Sequence, residues 1–372
     1  MEFCKTGSDR EPEWSVTRMS EPEQQQALQP LRLEQSASTG EPGPVNDSRG
    51  DLQAVCGRLK AELSQAIVGQ EQVVELLLIA LLARGHALFQ GVPGLAKTLL
   101  IRSLAAVSST RFSRIQFTPD LLPSDITGTE VFRPAESGGD RRSSFVEGPV
   151  FANLILADEI NRASPKTQAA LLEAMAEGEV TVLGRSMQLP APFAVFATQN
   201  PIEHEGTYPL PEAQLDRFMF QVEVSYPDRD QELVIVEQTT GQGAPKLRPQ
   251  LDVETLLQLQ DRVRMTPAGP EMVAFAVALA RASRPGPDAP DFIQRWVSWG
   301  AGPRASQFLI LGAKARALMH GRNAVSRQDL RALAVPVLVH RILLNFKAKA
   351  EGVTAASIVE QLLDSVDGPE HL

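Results

Sequence analysis

Residues 91–98 of the chain read GVPGLAKT, and this stretch decides which fold the sequence predicts. Two glycines and a proline precede a Lys-Thr pair at the head of an apolar run, which is typical of a loop that binds phosphate groups. The usual form of that loop, G-x-x-x-x-G-K-[ST], has glycine where this chain has Ala96. Alanine costs only one methyl group there if its φ angle is negative. Taken alone, the stretch also fits an ordinary strand-to-helix turn with a surface lysine.

Five short apolar runs alternate with helical patterns around this loop. We predict buried strands at His86–Gln90, Phe112–Phe117, Asn153–Ala157, Phe193–Thr198 and Phe218–Val224. Strands that alternate with helices indicate a parallel sheet covered on both faces. The sequence therefore predicts an α/β fold with a five-stranded parallel sheet sandwiched by helices, in which GVPGLAKT follows the first strand.

The chain divides into three predicted regions. Residues 1–51 are expected to be a flexible, disordered tail, because the first fifty residues hold five prolines and nine acidic against five basic residues. Residues 52–226 form the α/β core, and strand signals stop after Tyr226, so residues 227–372 are predicted to form an all-helical domain. Its helices are expected at Asp230–Gln238, Val253–Met265, Pro270–Ala282, Ala305–His320, Ser326–Val335 and Ala355–Val366.

Composition restricts the class of protein and its location. The longest apolar run has eight residues, Leu76–Ala83, far fewer than the ~20 that a membrane span needs, so we expect a soluble protein without membrane insertion. The two cysteines, Cys4 and Cys56, lack metal-ligand spacing and no secretion signal is seen, which favours the cytoplasm. A net charge of −9 disfavours nucleic acid as a partner. Translation is expected to start at either Met1 or Met19.

Two further stretches place polar side chains where predicted strands end. In NLILADEINRAS, residues 153–164, an apolar run ends in Asp158 and Glu159. Open α/β sheets bind ligands at that edge, so Asp158 would hold Mg²⁺ and Glu159 would orient or deprotonate an attacking water. In FAVFATQNP, residues 193–201, Asn200 could hydrogen-bond the water or the γ-phosphate. The carboxylates could instead cap the next helix, and Asn200 could simply begin a turn.

In this frame GVPGLAKT is predicted to bind a nucleoside triphosphate. The loop amides and the positive end of the next helix face one point, Lys97 can reach the β- and γ-phosphates, and the Thr98 hydroxyl can join Asp158 as a Mg²⁺ ligand. The predicted nucleotide-binding residues in this loop are Gly91, Val92, Pro93, Gly94, Leu95, Ala96, Lys97, Thr98 and Leu99.

The stretches GVPGLAKT, LILADEINRA, ATQNP and YPLPEAQLDRF (208–218), in this order and spacing, resemble the MoxR family of AAA+ ATPases. The resemblance runs from about Leu63 to Val366, and alanine is a usual variant at the position of Ala96 in that family. It implies a P-loop AAA+ domain followed by a lid domain, with ATP and Mg²⁺ as cofactors. It also implies a ring oligomer, expected to be a hexamer.

The resemblance implies further site residues. Arg217 resembles the arginine finger that acts on the nucleotide of the neighbouring subunit, and Arg304 resembles the sensor 2 arginine at the start of a lid helix. The segment Ile67, Val68, Gly69 and Gln70 resembles the one that packs beside the adenine. Arg217 could instead pair with Asp216 or a helix end, a surface contact worth about 0–1 kcal/mol.

Two insertions also match this branch of AAA+ proteins. Residues 128–151 place two apolar segments around a polar tip, and residues 179–190 alternate on both sides of Gly184, which predicts a β-hairpin. In related motors such insertions face a central pore. A pore contact is a hypothesis here, motivated by Arg141, Arg142 and Arg185, and two solvated loops are the alternative.

The primary functional hypothesis is a chaperone-like ATPase that remodels, matures or activates partner proteins. MoxR-type proteins are commonly associated with von Willebrand factor A domain proteins, and this chain has no such domain, so a separate partner is expected. A DNA-directed motor is the first alternative, and the acidic charge argues against it. A nucleotide-gated scaffold is the second, and the Asp158-Glu159 pair argues against it.

Overall fold

The computed structural model describes residues 49–92, 94–133, 142–200, 207–241 and 245–366, all within one compact unit, Asp47–Leu372. The predicted flexible tail therefore lies outside the described residues except for its last three, and Pro93 and Arg141 lie outside them as well. No helix in the described ranges is long and apolar enough to cross a membrane.

Fourteen helices and eleven strands make up the described part of the chain. The helices are α1 (Arg49–Leu63), α2 (Glu71–Leu82), α3 (Lys97–Val107), α4 (Pro123–Thr127), α5 (Pro165–Glu177), α6 (Glu212–Leu215), α7 (Arg229–Thr240), α8 (Val253–Met265), α9 (Pro270–Ala282), α10 (Asp291–Trp296), α11 (Pro303–Met319), α12 (Arg327–Leu338), α13 (Phe346–Ala350) and α14 (Ala355–Val366). The strands are β1 (Ala87–Gln90), β2 (Phe112–Gln116), β3 (Gly128–Arg133), β4 (Arg142–Glu147), β5 (Leu154–Asp158), β6 (Glu179–Val182), β7 (Arg185–Gln188), β8 (Ala194–Gln199), β9 (Phe220–Glu223), β10 (Val297–Trp299) and β11 (Leu343–Leu344).

The central sheet has five parallel strands in the order β2-β5-β8-β1-β9. Each of the five predicted strands is confirmed, with bounds within two residues of those expected. Parallel pairing brings all five carboxyl ends to one edge, and open sheets of this kind bind ligands there.

Both faces of this sheet are buried. Phe89 and Phe196 belong to an apolar cluster shared with α2 and with the helices that follow β9, while Leu88, Ile155 and Val195 belong to a second cluster under α5. Side chains alternate between faces along a strand, so a run that is apolar at every position has to be covered on both sides. This confirms the predicted α/β architecture with helices on both faces.

Two antiparallel hairpins project from the core. Strand β3 pairs with β4, and β6 pairs with β7. Leu183 and Gly184 connect the second pair with φ angles of 49° and 77°, the positive values that a two-residue type I′ turn requires. The hairpin prediction for residues 179–190 is therefore confirmed.

The region after β9 is helical but not entirely so. Helices α8, α9 and α14 have the predicted bounds. The expectation that no strand follows Tyr226 is wrong, because β10 pairs antiparallel with β11, and the short helices α10 and α13 were also not predicted. Asn345 fixes the strand pair through its backbone N–H to Trp296 O at 2.9 Å and its side-chain amide to Arg295 O at 2.8 Å.

Candidate nucleotide-binding site

The loop GVPGLAKT connects β1 to α3 at the carboxyl edge of the sheet. Gly91 has a φ of +155°, and a β-carbon there would lie 2.6 Å from the carbonyl oxygen of Val224, so only glycine fits. Helix α3 begins at Lys97, and its free N-terminal amides point to the same edge. The Lys97 ammonium donates a hydrogen bond to the carbonyl oxygen of Gly91.

Ala96 immediately precedes α3 and adopts a left-handed conformation, with φ of 55° and ψ of 20°. The negative φ under which alanine would cost only one methyl group is therefore not realised. The loop turns into the helix at a point that requires a left-handed residue, which explains why the strict motif has glycine there. A left-handed residue with a β-carbon costs about 1–2 kcal/mol.

The two carboxylates lie at the end of β5, which β8 separates from β1. Asp158 is the last residue of β5, and Glu159 follows it with a φ of 55°. Thr198 on the neighbouring strand β8 holds both residues: its hydroxyl donates to Asp158 Oδ1 at 2.6 Å and accepts from the Glu159 N–H at 2.8 Å. The turn at Glu159 therefore directs the two side chains differently while keeping them at one strand end.

Strand β2 brings two side chains that the sequence analysis missed. Arg114 donates to Asp158 Oδ2 from Nε at 3.1 Å and from Nη2 at 2.6 Å. The Gln116 amide donates to Glu159 Oε2 at 3.0 Å, and Arg162 Nη1 donates to the same oxygen at 2.9 Å. The signal was present in the sequence, because polar residues occupy alternate positions of β2 and so share one face of the strand.

These residues enclose one cavity of about 560 Å³, within the range typical of ligand sites. Its lining consists of Gly91, Gly94, Leu95, Ala96, Lys97, Thr98, Leu99, Arg114, Asp158, Glu159, Thr198, Gln199 and Asn200. Asn200, just beyond β8, is buried. Val92 does not line the cavity. Burial lowers the pKa of Lys97, and the charges of Asp158 and Glu159 oppose that shift.

The segment Ile67–Gln70 lies between α1 and α2 and does not line this cavity. Gly69 has a φ of +70°, and the Gln231 side chain of α7 packs against it so closely that a β-carbon would overlap. The side-chain oxygen of Gln70 is buried without a hydrogen-bond donor among the described residues.

The two other predicted arginines lie outside the cavity: Arg304 belongs to a cluster built around Asp216, and Arg217 is the residue that follows Asp216 in the chain. Arg304 Nη1 donates to Asp216 Oδ2 at 2.9 Å, and Arg341 Nε donates to Asp216 Oδ1 at 2.8 Å. Arg217 Nη1 donates to Leu172 O at 2.9 Å, and no carboxylate in the described ranges pairs with it. The alternative that Arg217 pairs with Asp216 is therefore not realised.

Arg341, which lies just after α12, is the buried member of this cluster. Its guanidinium also donates from Nη2 to Asp216 O at 2.8 Å and to Phe218 O at 2.6 Å. Its side chain is only 2% exposed, and burial lowers the pKa of Arg341 to about 10 despite the charge of Asp216. The buried cation Arg341 therefore binds the backbone on both sides of Arg217.

Comparison with known proteins identifies the family. A family model described as "ATPase family associated with various cellular activities (AAA)" matches residues 86–220, and one described as "AAA lid domain" matches residues 293–362. The chain is 43% identical to "Chaperone MoxR1" of Mycobacterium tuberculosis over 310 residues, which cover 83% of this chain and 81% of that one. The chain belongs to the MoxR family of AAA+ ATPases.

One further relative and one solved structure support the assignment of this chain to the MoxR family. "Protein MoxR" of Methylorubrum extorquens is 32% identical over 79% of this chain and 89% of that one. A crystal structure of a "putative ATPase" from Cytophaga hutchinsonii superposes with a TM-score of 0.79 at 36% identity, covering 86% of this chain and 96% of that one. The MoxR-family chain is thus an ATPase in which an AAA+ domain, matched over residues 86–220, precedes a lid domain, matched over residues 293–362. The region α8–α14, which contains the second match, is called the lid below.

Proposed function

We propose that this chain is one subunit of a ring, expected to be a hexamer, in which ATP hydrolysis between adjacent subunits remodels or activates partner proteins. One observation carries the proposal. Arg217 and Arg304, the two arginines expected to act on nucleotide, do not line the phosphate-loop cavity of their own chain. Arg304 binds Asp216, and the adjacent Arg217 donates to Leu172 O, which supports action of both arginines on the nucleotide of a second chain.

The residues that line the cavity divide the chemistry between binding and water activation. Lys97 and the amides of residues 94–98 would bind the phosphates, which neutralises charge that develops on the transferred group. Glu159 Oε2 is held by Gln116 and Arg162, and the carboxylate would activate the attacking water. Asn200 would position that water or the γ-phosphate from the β8 side.

Thr98 and Asp158 form a donor set that suits Mg²⁺. The described residues contain no cluster of three or more His, Cys, Asp or Glu side chains that could hold a metal by itself. Mg²⁺ commonly uses one or two carboxylates and takes its remaining ligands from phosphate and water, and the hydroxyl of Thr98 and the carboxylate of Asp158 line the same cavity. The ion would supply charge neutralisation at the β- and γ-phosphates.

Arg217 is proposed to act on the nucleotide of the adjacent subunit. An arginine supplied in this way contributes about 10³ to 10⁵ to the hydrolysis rate. That factor corresponds to about 4 to 7 kcal/mol of barrier. Arg304 shares Asp216 with Arg341 and would approach the same nucleotide or hold Arg217 in place.

A mixing experiment tests this arrangement. Arg217→Ala keeps its own cavity but cannot supply the arginine, whereas Lys97→Ala lacks a working cavity but keeps Arg217. We expect each variant alone to hydrolyse ATP at most at about a thousandth of the normal rate, and their mixture to regain activity at mixed contacts. Arg58→Ala, at an exposed arginine of α1, is the control and should hydrolyse normally. A mixture as inactive as its components would refute action between subunits.

The clients are proposed to be proteins, and a von Willebrand factor A domain protein is one candidate. The similarity to a protein named "Chaperone MoxR1" supports a protein client. Glu159→Gln should hold ATP without hydrolysing it and so retain a client during purification. Lys97→Ala is the matched negative control.

A cytoplasmic location stays a prediction from the cysteine content.

The β6–β7 hairpin is proposed to touch the client in the ring pore. Its tip residue Leu183 is 74% exposed, and Arg185 follows on the same tip. We expect Leu183→Asn and Arg185→Ala to lower the stimulation of ATP hydrolysis by an unfolded polypeptide without changing the basal rate. Unchanged stimulation would refute the proposed pore contact and favour the alternative that the hairpin is a solvated loop.

A further inference from the structure

Helix α7 follows the last strand of the core and packs on little of the described chain. Its first turn is fixed by a capping box between Asp228 and Gln231, and the Gln231 side chain packs against Gly69. No residue of α7 is buried. Only Gln231 and Ile235, four residues apart on one face, are half-buried, so the opposite face of the helix is directed away from the described chain.

That outward face is both apolar and acidic. Leu233 and Val236, three residues apart and therefore neighbours on the helix surface, are 53% and 52% exposed. Three carboxylates flank them, against the single cation Arg229: Asp230, Glu232 and Glu237. An exposed apolar strip bordered by charges of one sign is typical of a helix that binds in a groove.

The lid contains a groove of the opposite charge. It has a volume of about 750 Å³, lies between α9 and α11 beside the end of α8, and has an apolar floor that includes Val273, Val277, Ile310 and Leu311. Val273 and Val277 are 43% and 40% exposed.

Three cations line this groove, Arg264, Arg281 and Arg284, and a fourth, Lys314, contacts Arg264. None of them has an ion pair with a carboxylate in the described ranges. Lys314 Nζ donates to Arg264 O at 2.9 Å, and burial together with the charge of Arg264 lowers the pKa of Lys314. An anionic partner would relieve this unbalanced positive charge.

The positions of groove and helix match the proposed subunit contact. The groove includes Pro303, the residue before Arg304, and Arg304 is proposed to face the neighbouring nucleotide. Helix α7 starts five residues after Val224, whose carbonyl oxygen lies against Gly91 of the phosphate loop. A chain that presents Arg304 to the phosphate loop of its neighbour therefore also brings its lid groove toward α7 of that neighbour.

We propose that the lid groove of each chain binds α7 of the adjacent chain, with Leu233 and Val236 on the valine floor and the α7 carboxylates beside the arginines. The inference rests on the proposed function, which supplies the contact between subunits. The two surfaces belong to different parts of the chain, so the contact is heterologous, and such contacts generate closed rings when the rotation closes.

Charge reversal tests the contact. We expect Arg281→Glu and Glu237→Arg each to weaken ATP-dependent assembly, measured by sedimentation velocity, by about tenfold or more. The double variant should recover most of the loss, because the reversed charges attract again. Arg58→Glu is the matched control. Arg281 and Glu237 are exposed, so thermal unfolding of the unassembled chains should not change.

Crosslinking tests the geometry directly. Leu233→Cys and Val277→Cys are placed on separate chains in which Cys4 is replaced by serine, while Cys56 is buried with its pKa raised to about 12 and will not react. A short bismaleimide should join the mixed chains when ATP is present. Neither chain alone should crosslink to itself, and Leu183→Cys in place of Leu233→Cys should give no product.

The outcomes separate this contact from the function on which it rests. If the Arg217→Ala and Lys97→Ala mixture regains activity while charge reversal leaves assembly unchanged, the α7 contact is wrong and the proposed function stands. If the wild-type chain stays monomeric with ATP, both are wrong. If Arg281→Glu alters stimulation by an unfolded polypeptide but not assembly, the groove binds clients instead of α7.

Discussion

The guanidinium of Arg114 and the carboxylate of Asp158 form an ion pair inside the phosphate-loop cavity, with Nη2 and Oδ2 separated by 2.6 Å. Asp158 is also the residue proposed to hold Mg²⁺. The ion and Arg114 therefore compete for one carboxylate. Arg114 is 48% exposed, so solvent screens the pair and its contribution is about 0–1 kcal/mol.

Arg114→Ala should therefore make Asp158 more available to the metal. We expect the Mg²⁺ concentration for half-maximal ATP hydrolysis to fall by up to about fivefold, which corresponds to about 1 kcal/mol. The measurement is a Mg²⁺ titration at saturating ATP, with Arg58→Ala as the control. A Mg²⁺ requirement that rises in Arg114→Ala would mean that this arginine assists metal binding instead.

Ala96→Gly should stabilise the chain. Removing the β-carbon from a left-handed residue relieves about 1–2 kcal/mol, and the greater freedom of glycine in the unfolded chain offsets about 0.4–1 kcal/mol of that. The expected net gain in the free energy of unfolding is about 0–1.6 kcal/mol. Ala106→Gly, at an exposed position within α3, is the matched control and should lose about 0.5–1 kcal/mol. Equal signs for the two variants in urea unfolding would contradict the assigned conformation.

Arg341 and Arg304 both bind Asp216 but should differ in their effect on stability. Arg341→Met leaves backbone carbonyls and a partly buried carboxylate without their cation, so we expect a loss of about 3 kcal/mol or more in unfolding free energy. Arg304 is 45% exposed, and Arg304→Met should cost about 1 kcal/mol or less. Urea unfolding of both variants tests this, and similar losses would count against the distinction.

His86 should make stability depend on pH in the weakly acidic range. Burial lowers the pKa of His86 from 6.5 to about 4, although a contact with Met175 O at 3.2 Å opposes the shift. The unfolded chain then binds more protons, so stability is complete above pH 6.5 and falls as the pH drops toward 4. Over that window the loss from His86 is about 3 kcal/mol.

The measurement is unfolding free energy at pH 7 and pH 5 for wild type and His86→Asn. The variant should be less stable at pH 7 but should lose less on acidification. His340, whose pKa burial and the charge of Arg341 lower well below its ordinary value, remains as a second contributor in both proteins. An unchanged pH dependence in His86→Asn would show that the burial of His86 does not control this range.

The sequence predicted the central sheet well because both faces of it are covered. Runs that are apolar at every position, such as Leu154–Ala157, indicate buried strands without knowledge of the partners. The pair of β10 and β11 escaped prediction because strands of two or three residues have no periodicity. Side-chain contacts made by Asn345 hold it, and such contacts do not appear in the local pattern.

The sequence predicted the site residues that end or directly follow an apolar strand. It did not predict those whose position depends on how two strands pair. Asp158 and Asn200 come just at or after apolar runs, and they line the cavity. Arg114 reaches the cavity only because β2 pairs with β5 in the register that sets Arg114 opposite Leu156. The left-handed conformation of Ala96 was not predicted, because alanine carries no local signal for a left-handed turn.

A single apolar cluster continues from the sheet into the lid without interruption. It contains Phe89 and Phe220 of the sheet together with Leu309 and Leu330 of the lid, and Gly312 of α11 leaves room for the side chains of Met219 and Leu333. A gene cut after β9 would encode a protein in which the sheet side of this cluster is exposed to water. The nucleotide domain and its lid therefore fold as one cooperative unit, and a single gene has to encode both.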